Sequence, residues 1–246
     1  MVRERAGSEP RLCPRLQDGP SVIRCLCAAA LLLLAAAGAA RAAPADTPGA
    51  FDFYILALSW SPTYCAEQTR ADGAQCRAGR PFGFIVHGLW PQNERGYPQS
   101  CQTPAPYIHN ETLTSIQDLM PSRGLVIHEW RRHGTCSGLP PEAFFAKLRA
   151  ARGKITIPPA FIAPAEASTV TPAEVETAFI AANPGLTNAM IAVDCGANRL
   201  REVRVCFSKD LTFRPCPEAD RRGCRAGRTL EVPPVQVPPV QAPSAR

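Results

Sequence analysis

Eight cysteines spread between residues 65 and 224 constrain this chain more than any other feature: Cys65, Cys76, Cys101, Cys136, Cys195, Cys206, Cys216 and Cys224. An even set in an oxidising compartment reads as a disulfide framework. Such a framework limits the fold to one whose loops and element ends meet in pairs. Eight thiols allow on the order of 100 full pairings, so spacing alone leaves the connectivity open. Zinc binding fits poorly. There is no C-x-x-C pair, and the closest of these eight cysteines have seven residues between them.

The remaining three of the eleven cysteines, Cys13, Cys25 and Cys27, lie in an N-terminal segment that reads as an export signal. Arg24 precedes an apolar run over 25–37, and Ala40-Arg41-Ala42 fits a small-residue cleavage site. The run falls short of the roughly 20 residues that span a bilayer. We therefore expect cleavage after Ala42 and a secreted or periplasmic product with no membrane association. Cleavage would remove six arginines and three acids and leave a net charge of +3. That balance is mildly favourable for a polyanion and too weak to name one. The domain reading is a leader over 1–42, a Pro/Gly linker over 43–50, a catalytic domain over 51–230 and a Pro-rich, extended and mobile tail over 231–246.

Within the domain, 51–60 reads as a strand buried on both faces and 61–80 as a loop with its own staple. A second strand over 81–86 is expected to end at His87 and present it in a cleft. Helices are expected over 111–119, 125–133, 140–151 and 172–182. Gly134 would be the stop of the second and Pro172 would lie in the first turn of the last. Runs over 189–195 and 200–208 read as strands joined by a hairpin around Asn198.

The chemistry is concentrated in two strings. The chain has four histidines, His87, His109, His128 and His133. Three of them fall in Phe84-Ile-Val-His-Gly-Leu-Trp-Pro91 and His128-Glu-Trp-Arg-Arg-His-Gly-Thr-Cys-Ser137. On a helix Glu129, Arg132 and His133 share a face. That face then holds a carboxylate, a guanidinium suited to phosphate and an imidazole. With His87 opposite, two imidazoles serve as acid and base in one step. RNA carries its own nucleophile in the ribose 2′-hydroxyl, so such a site needs no metal. The zinc-protease motif H-E-x-x-H does not fit. His133 follows His128 by five residues, which turns the two rings about 140° apart on an α-helix. His109 reads as a surface loop residue, and Trp130 as core.

These two strings resemble the two active-site segments of the ribonuclease T2 family, and Phe51–Trp60 with Ser61-Pro-Thr-Tyr-Cys65 resembles its opening segment. The resemblance covers about residues 51 to 224. It implies an endoribonuclease that cleaves single-stranded RNA by transesterification through a 2′,3′-cyclic phosphate to 3′-phosphate ends, without cofactor or metal; a monomer is the default expectation. Position by position, it implies His133 as general base, His87 as general acid, and Glu129 and Arg132 as support for the pentavalent phosphate. His128 would bind phosphate, and Trp90 would stack on a base, with Gln92 and Tyr97 beside it. It also implies the pairs Cys65–Cys76, Cys101–Cys136, Cys195–Cys224 and Cys206–Cys216. Two positions depart from the family pattern: Arg132 stands where lysine is frequent, and Gln92 where many eukaryotic members have aspartate. The fold expected is α+β, one disulfide-bonded domain with an antiparallel sheet and helices packed on one side.

Overall fold

The computed structural model describes residues 46–67, 73–76, 81–217 and 223–235. The export signal and its cleavage point lie outside them, as does the tail beyond 235. Among the described residues no helix is long and apolar enough to cross a membrane.

In chain order the elements are β1 (Phe53–Trp60), α1 (Ser61–Glu67), α2 (Gly73–Cys76), β2 (Phe84–Gln92), α3 (Asn110–Ser115), α4 (Arg123–Arg132) and α5 (Pro141–Gly153). There follow β3 (Ser168–Val170), α6 (Pro172–Ala182), β4 (Ile191–Cys195), β5 (Leu200–Phe207) and β6 (Leu230–Val232). The main sheet has the order β2-β1-β5-β4, and every neighbouring pair is antiparallel. β3 and β6 form a separate antiparallel pair. The α+β expectation is met. The span expected to be a loop over 61–80 instead contains α1 and α2, and these are joined by the expected Cys65–Cys76 bridge.

The sheet has two unlike faces. Side chains alternate along a strand, and one set enters the large core: Tyr54, Leu56, Leu58 and Trp60 of β1, Val203, Val205 and Phe207 of β5, and Ile191 and Val193 of β4. Helices cover this face with Val126 and Trp130 of α4, Phe144, Phe145 and Leu148 of α5, and Val175 and Phe179 of α6. Burial of each such side chain stabilises the fold by about 1.5–3 kcal/mol. The other set forms a small cluster of Phe53, Ile55, Ala192, Cys206 and Cys216, with Trp90 packed against it. Polar groups share this second face: Ser59 of β1, Glu202 and Arg204 of β5, and Asp194 of β4.

β2 is an edge strand, and its pairing with β1 is interrupted. Ala57 faces Gly88 and Leu58 faces Val86, so His87 is left without a partner as the extra residue of a β-bulge. The bulge changes which residues share a side. Phe84, Val86 and Leu89 all face the large core, whereas strict alternation would turn Leu89 away. For the same reason His87 and Trp90, three residues apart, meet on the other side, with ring centroids 5.3 Å apart. The expected strand end at His87 is therefore corrected. The strand continues to Gln92, and the histidine is presented by a mid-strand bulge.

The sequence expectation for α4 was close. Ser122 caps its first turn by accepting a hydrogen bond from the Leu125 amide, 3.2 Å away. The helix ends at Arg132, with His133 as its C-cap, and continues as a 3-10 turn over Gly134–Ser137. Gly134 serves close packing. A Cβ there would lie 2.4 Å from Trp130 and 2.9 Å from Phe144. Positive φ occurs instead at Gly138, which closes the 3-10 turn at φ 75° and packs on Gly49. α6 begins with the Thr171/Glu174 capping box, and Pro172 lies in its first turn as expected.

The tail boundary also needs correction. Residues 231 and 232 belong to β6, Val235 is buried, and the Pro233 carbonyl accepts a hydrogen bond from Trp60 Nε1 at 3.0 Å. The chain thus packs through residue 235 and does not leave the fold at 230.

Candidate active site

Three elements converge on the polar face of the sheet. The bulge in β2 supplies His87. α4 lies along the edge beside β2, with Val126 and Trp130 in the large core and Glu129 on its adjoining face. β5 supplies Glu202, which reaches His87 from beyond β1. That reach is possible because β1 carries small residues on this side. Ala57 pairs with Gly88 and Arg204, and Ser59 pairs with Glu202.

His87 is the hub, with 37% of its side chain exposed. Its Nδ1 lies 2.7 Å from Glu202 Oε2 and its Nε2 lies 3.5 Å from Glu129 Oε1. The other Glu129 oxygen accepts the Trp90 indole N–H at 2.7 Å. Gly88 makes this geometry possible, since a Cβ there would lie 2.1 Å from Glu129 Oε2. The Trp90 ring stands between the two histidines, 5.3 Å from His87 and 5.4 Å from His133. The Arg204 guanidinium lies 5.5 Å from the indole centroid.

The electrostatics separate the two imidazoles. Burial alone would lower His87, but the hydrogen bond and charge of Glu202, with the charge of Glu129, outweigh burial and the opposing Arg204. The net displacement is upward from 6.5. His133 is pushed down to about 3, first by burial and then by the charges of Arg132, His87 and His128. Glu129 is raised to about 7, because its burial and the Glu202 charge outweigh His87 and the Trp90 hydrogen bond. Glu202 is buried too, but His87 and Arg204 hold it down at about 2. The two displacements are opposite in sign, so they open a pH range in which His87 is protonated while His133 is neutral. Pairs displaced in this way mark the division of labour between acid and base.

The other expected residues take varied places. His128 lines a cavity of about 310 Å³ beside His87, together with Ser59, Tyr64, Gln75 and Leu125. Arg132 is half-buried at the end of α4, and its carbonyl accepts the Ser100 amide at 2.8 Å. Tyr97 is 43% exposed, and its ring lies 6.3 Å from that of His133. Gln92 is half-buried, and its amide donates to the Pro91 carbonyl at 2.9 Å. His109 lies outside the group, with its ring 5.3 Å from the exposed Tyr107. All four expected disulfides are formed. Cys101–Cys136 ties the 93–109 loop to the turn that follows His133.

Sequence reasoning missed Glu202 and Arg204. The available signal was an acid between two arginines in a strand, Leu-Arg-Glu-Val-Arg-Val-Cys-Phe, opposite the small residues Ala57 and Ser59. The cavity wall contributed by α1 and α2 was also missed.

Comparison with known proteins places this geometry. The family model described as the Ribonuclease T2 family matches residues 51–216. The chain belongs to the ribonuclease T2 family. Among its relatives in that family, a ribonuclease of Aeromonas hydrophila is 50% identical over 98 residues, which is 39% of this chain and 42% of that protein. The chain thus spans less than half the length of that relative. Ribonuclease DdI of Dictyostelium discoideum matches over more of the chain, with 28% identity over 199 residues, covering 72% of this chain and 83% of that protein. Among solved structures, RNase NT in complex with 5′-AMP superimposes with a TM-score of 0.61 at 26% identity. It covers 75% of this chain and 98% of that one.

Proposed function

We propose that this member of the ribonuclease T2 family is an exported endoribonuclease acting on single-stranded RNA, with His87 as general acid and His133 as general base. The observation that carries this reading is the pair of histidines flanking one indole, one displaced upward and the other downward in pKa.

In the first step neutral His133 takes the proton of a ribose 2′-hydroxyl. Among the described residues its buried Nδ1 has no hydrogen-bond partner, which leaves Nε2 for the substrate. The 2′-oxygen bonds to phosphorus, the bond from phosphorus to the 5′-oxygen breaks, and His87 Nε2 gives its proton to that departing oxygen. The products are a 2′,3′-cyclic phosphate and a free 5′-hydroxyl. In the slower second step the roles reverse: His87 takes a proton from water, His133 returns one to the 2′-oxygen, and a 3′-phosphate remains. Glu129, near half-protonation at neutral pH, and the Arg132 guanidinium support the charge on the pentavalent phosphorus. His128 binds phosphate. Trp90, with Gln92 and Tyr97 nearby, receives one base, and the cavity lined by His128 and Tyr64 receives the base on the other side of the cut.

The test is cleavage of a single-stranded oligonucleotide in EDTA by the processed protein and by His87→Ala and His133→Ala, with analysis of the product ends. Cyclic phosphate from the parent and loss in both variants is the expected result. Activity that appears only when a divalent metal is restored would overturn the mechanism.

A further inference from the structure

Glu202 has no part in the reaction steps above, yet it is 3% exposed and occupied on both oxygens. Oε2 meets His87 Nδ1 at 2.7 Å and accepts the Ser59 hydroxyl at 3.3 Å. Oε1 accepts Arg204 Nε at 2.7 Å. Arg204 is itself held 3.2 Å from Asp194, which also pairs with Arg201. A row of alternating charges therefore crosses the polar face from β4 to the edge of the sheet: Asp194, Arg204, Glu202, His87, Glu129. Burial of a carboxylate is unfavourable unless its partners are fixed. Here they hold it so that it cannot turn away from the imidazole.

We propose that Glu202, anchored by Arg204, is the positioning residue for His87: it holds the Nδ1–H, fixes the ring plane and leaves Nε2 as the proton-exchanging nitrogen in both steps. The inference rests on the acid role given to His87 above. While His87 is doubly protonated, Glu202 stabilises the cation. Once Nε2 has given up its proton, Nδ1 keeps its hydrogen against the carboxylate. The bare nitrogen is then Nε2, the one that must collect a proton from water during hydrolysis. A carboxylate behind an imidazole does this work wherever one ring must serve as acid and base in turn. The titratable and charged groups that face His87 are Glu129, His128 and His133 from the α4 side, Glu202 and Arg204 from β5, and Tyr64 across the cavity. Only Glu202 contacts Nδ1 among the described residues.

Glu202→Gln separates positioning from mere packing. Arginine donates and cannot accept, so the amide oxygen must face Arg204 and the amide N–H must face His87. Nδ1 then becomes the acceptor, the cation loses its counter-charge, and the protonated acid is less populated at a given pH. RNA cleavage should fall on the order of 100-fold, and the alkaline limb of kcat/KM should move to lower pH. A ribonucleoside 3′-(4-nitrophenyl phosphate), whose leaving group departs without an acid, should be cleaved nearly as fast as by the parent. That same substrate reports whether the variant is folded. Glu202→Asp, which keeps the charge but withdraws it by one methylene, should show the same pattern in milder form. Equal losses on both substrates with an unmoved alkaline limb would overturn the proposal, as would unchanged RNA cleavage. Titration of ¹⁵N-labelled histidine keeps the test independent of the ribonuclease reading. If the parent cleaves no RNA, a downward shift of His87 in Glu202→Gln still supports positioning, and an unshifted His87 rejects it.

Discussion

The smallest determinant of the site is the missing side chain at Gly88. Its backbone passes so close to Glu129 and Trp90 that a methyl group would lie 2.1 Å from the carboxylate and 2.4 Å from the indole nitrogen. Gly88→Ala should therefore break the 2.7 Å Trp90–Glu129 hydrogen bond and displace Glu129 from His87. We expect a loss of about 1–3 kcal/mol in stability, the usual cost of overpacking, and at least a tenfold fall in kcat. Chemical denaturation and steady-state kinetics on the same preparation check both numbers. The titrations belong to the same scale. The proposed reaction needs neutral His133 and protonated His87. Activity should rise as pH passes upward through about 3, where His133 loses its proton, and fall as pH passes the raised value of His87. The profile of kcat/KM on a dinucleotide should be a broad plateau across the mildly acid range. A narrow bell with its acid limb near pH 6 would contradict the neutral state assigned to His133.

At the scale of elements, the site depends on joints that fix α4 and on one irregularity in β2. Cys101–Cys136 and the Ser100–Arg132 backbone hydrogen bond hold the end of α4 where His133 is displayed. Replacing Cys101 and Cys136 by serine should cost about 2–4 kcal/mol and also reduce kcat. Thermal melts and RNA cleavage at a temperature where the variant is still folded would show the two effects separately. Unchanged kcat in the folded variant would mean that the bridge stabilises without positioning. α4 was legible because periodicity and end signals are local: its face with Glu129, its buried Trp130 and its closure near Gly134 all follow from spacing. The bulge was not legible. A period-two reading of Phe84–Gln92 puts His87 and Trp90 on opposite faces, and only the pairing of Ala57 with Gly88 and Leu58 with Val86 reverses that. Register is a property of two strands, so one strand's sequence does not reveal it. The same limit hid Glu202, whose meaning depends on small residues in β1, and the tail, whose Val235 is buried by a core assembled from distant segments.

For the whole molecule, the buried groups that serve the reaction also set how stability varies with acidity, because each pKa displacement is a difference in proton uptake between folded and unfolded chains. Glu202, held at about 2 against an ordinary 4.5, contributes stability that is present above 4.5 and lost as pH falls toward 2. His133 acts in the same direction over a wider window. Below 6.5 the unfolded chain takes up its proton and the folded chain does not until about 3, so stability is lost as pH falls. Glu129 opposes it. The folded chain accepts this proton at about 7 and the unfolded chain only at 4.5, so stability is gained as pH falls between those values. His87, raised when folded, contributes stability that is complete below 6.5 and lost as pH rises through its folded value. Between about 7 and 4.5 the uptake by unfolded His133 and by folded Glu129 nearly cancel. Below 4.5 Glu129 is exhausted, while His133 and Glu202 both favour the unfolded chain. Tm should thus stay level from pH 7 to about 4.5 and then drop steeply, and His133→Asn should turn the level stretch into a rise toward acid by removing one side of the balance. Calorimetry of parent and variant at half-unit steps from pH 3 to 8 tests this. A parent whose Tm declines steadily from pH 7 would show that Glu129 does not take up its proton in the folded state, and with it would go the half-protonated Glu129 proposed to support the pentavalent phosphorus.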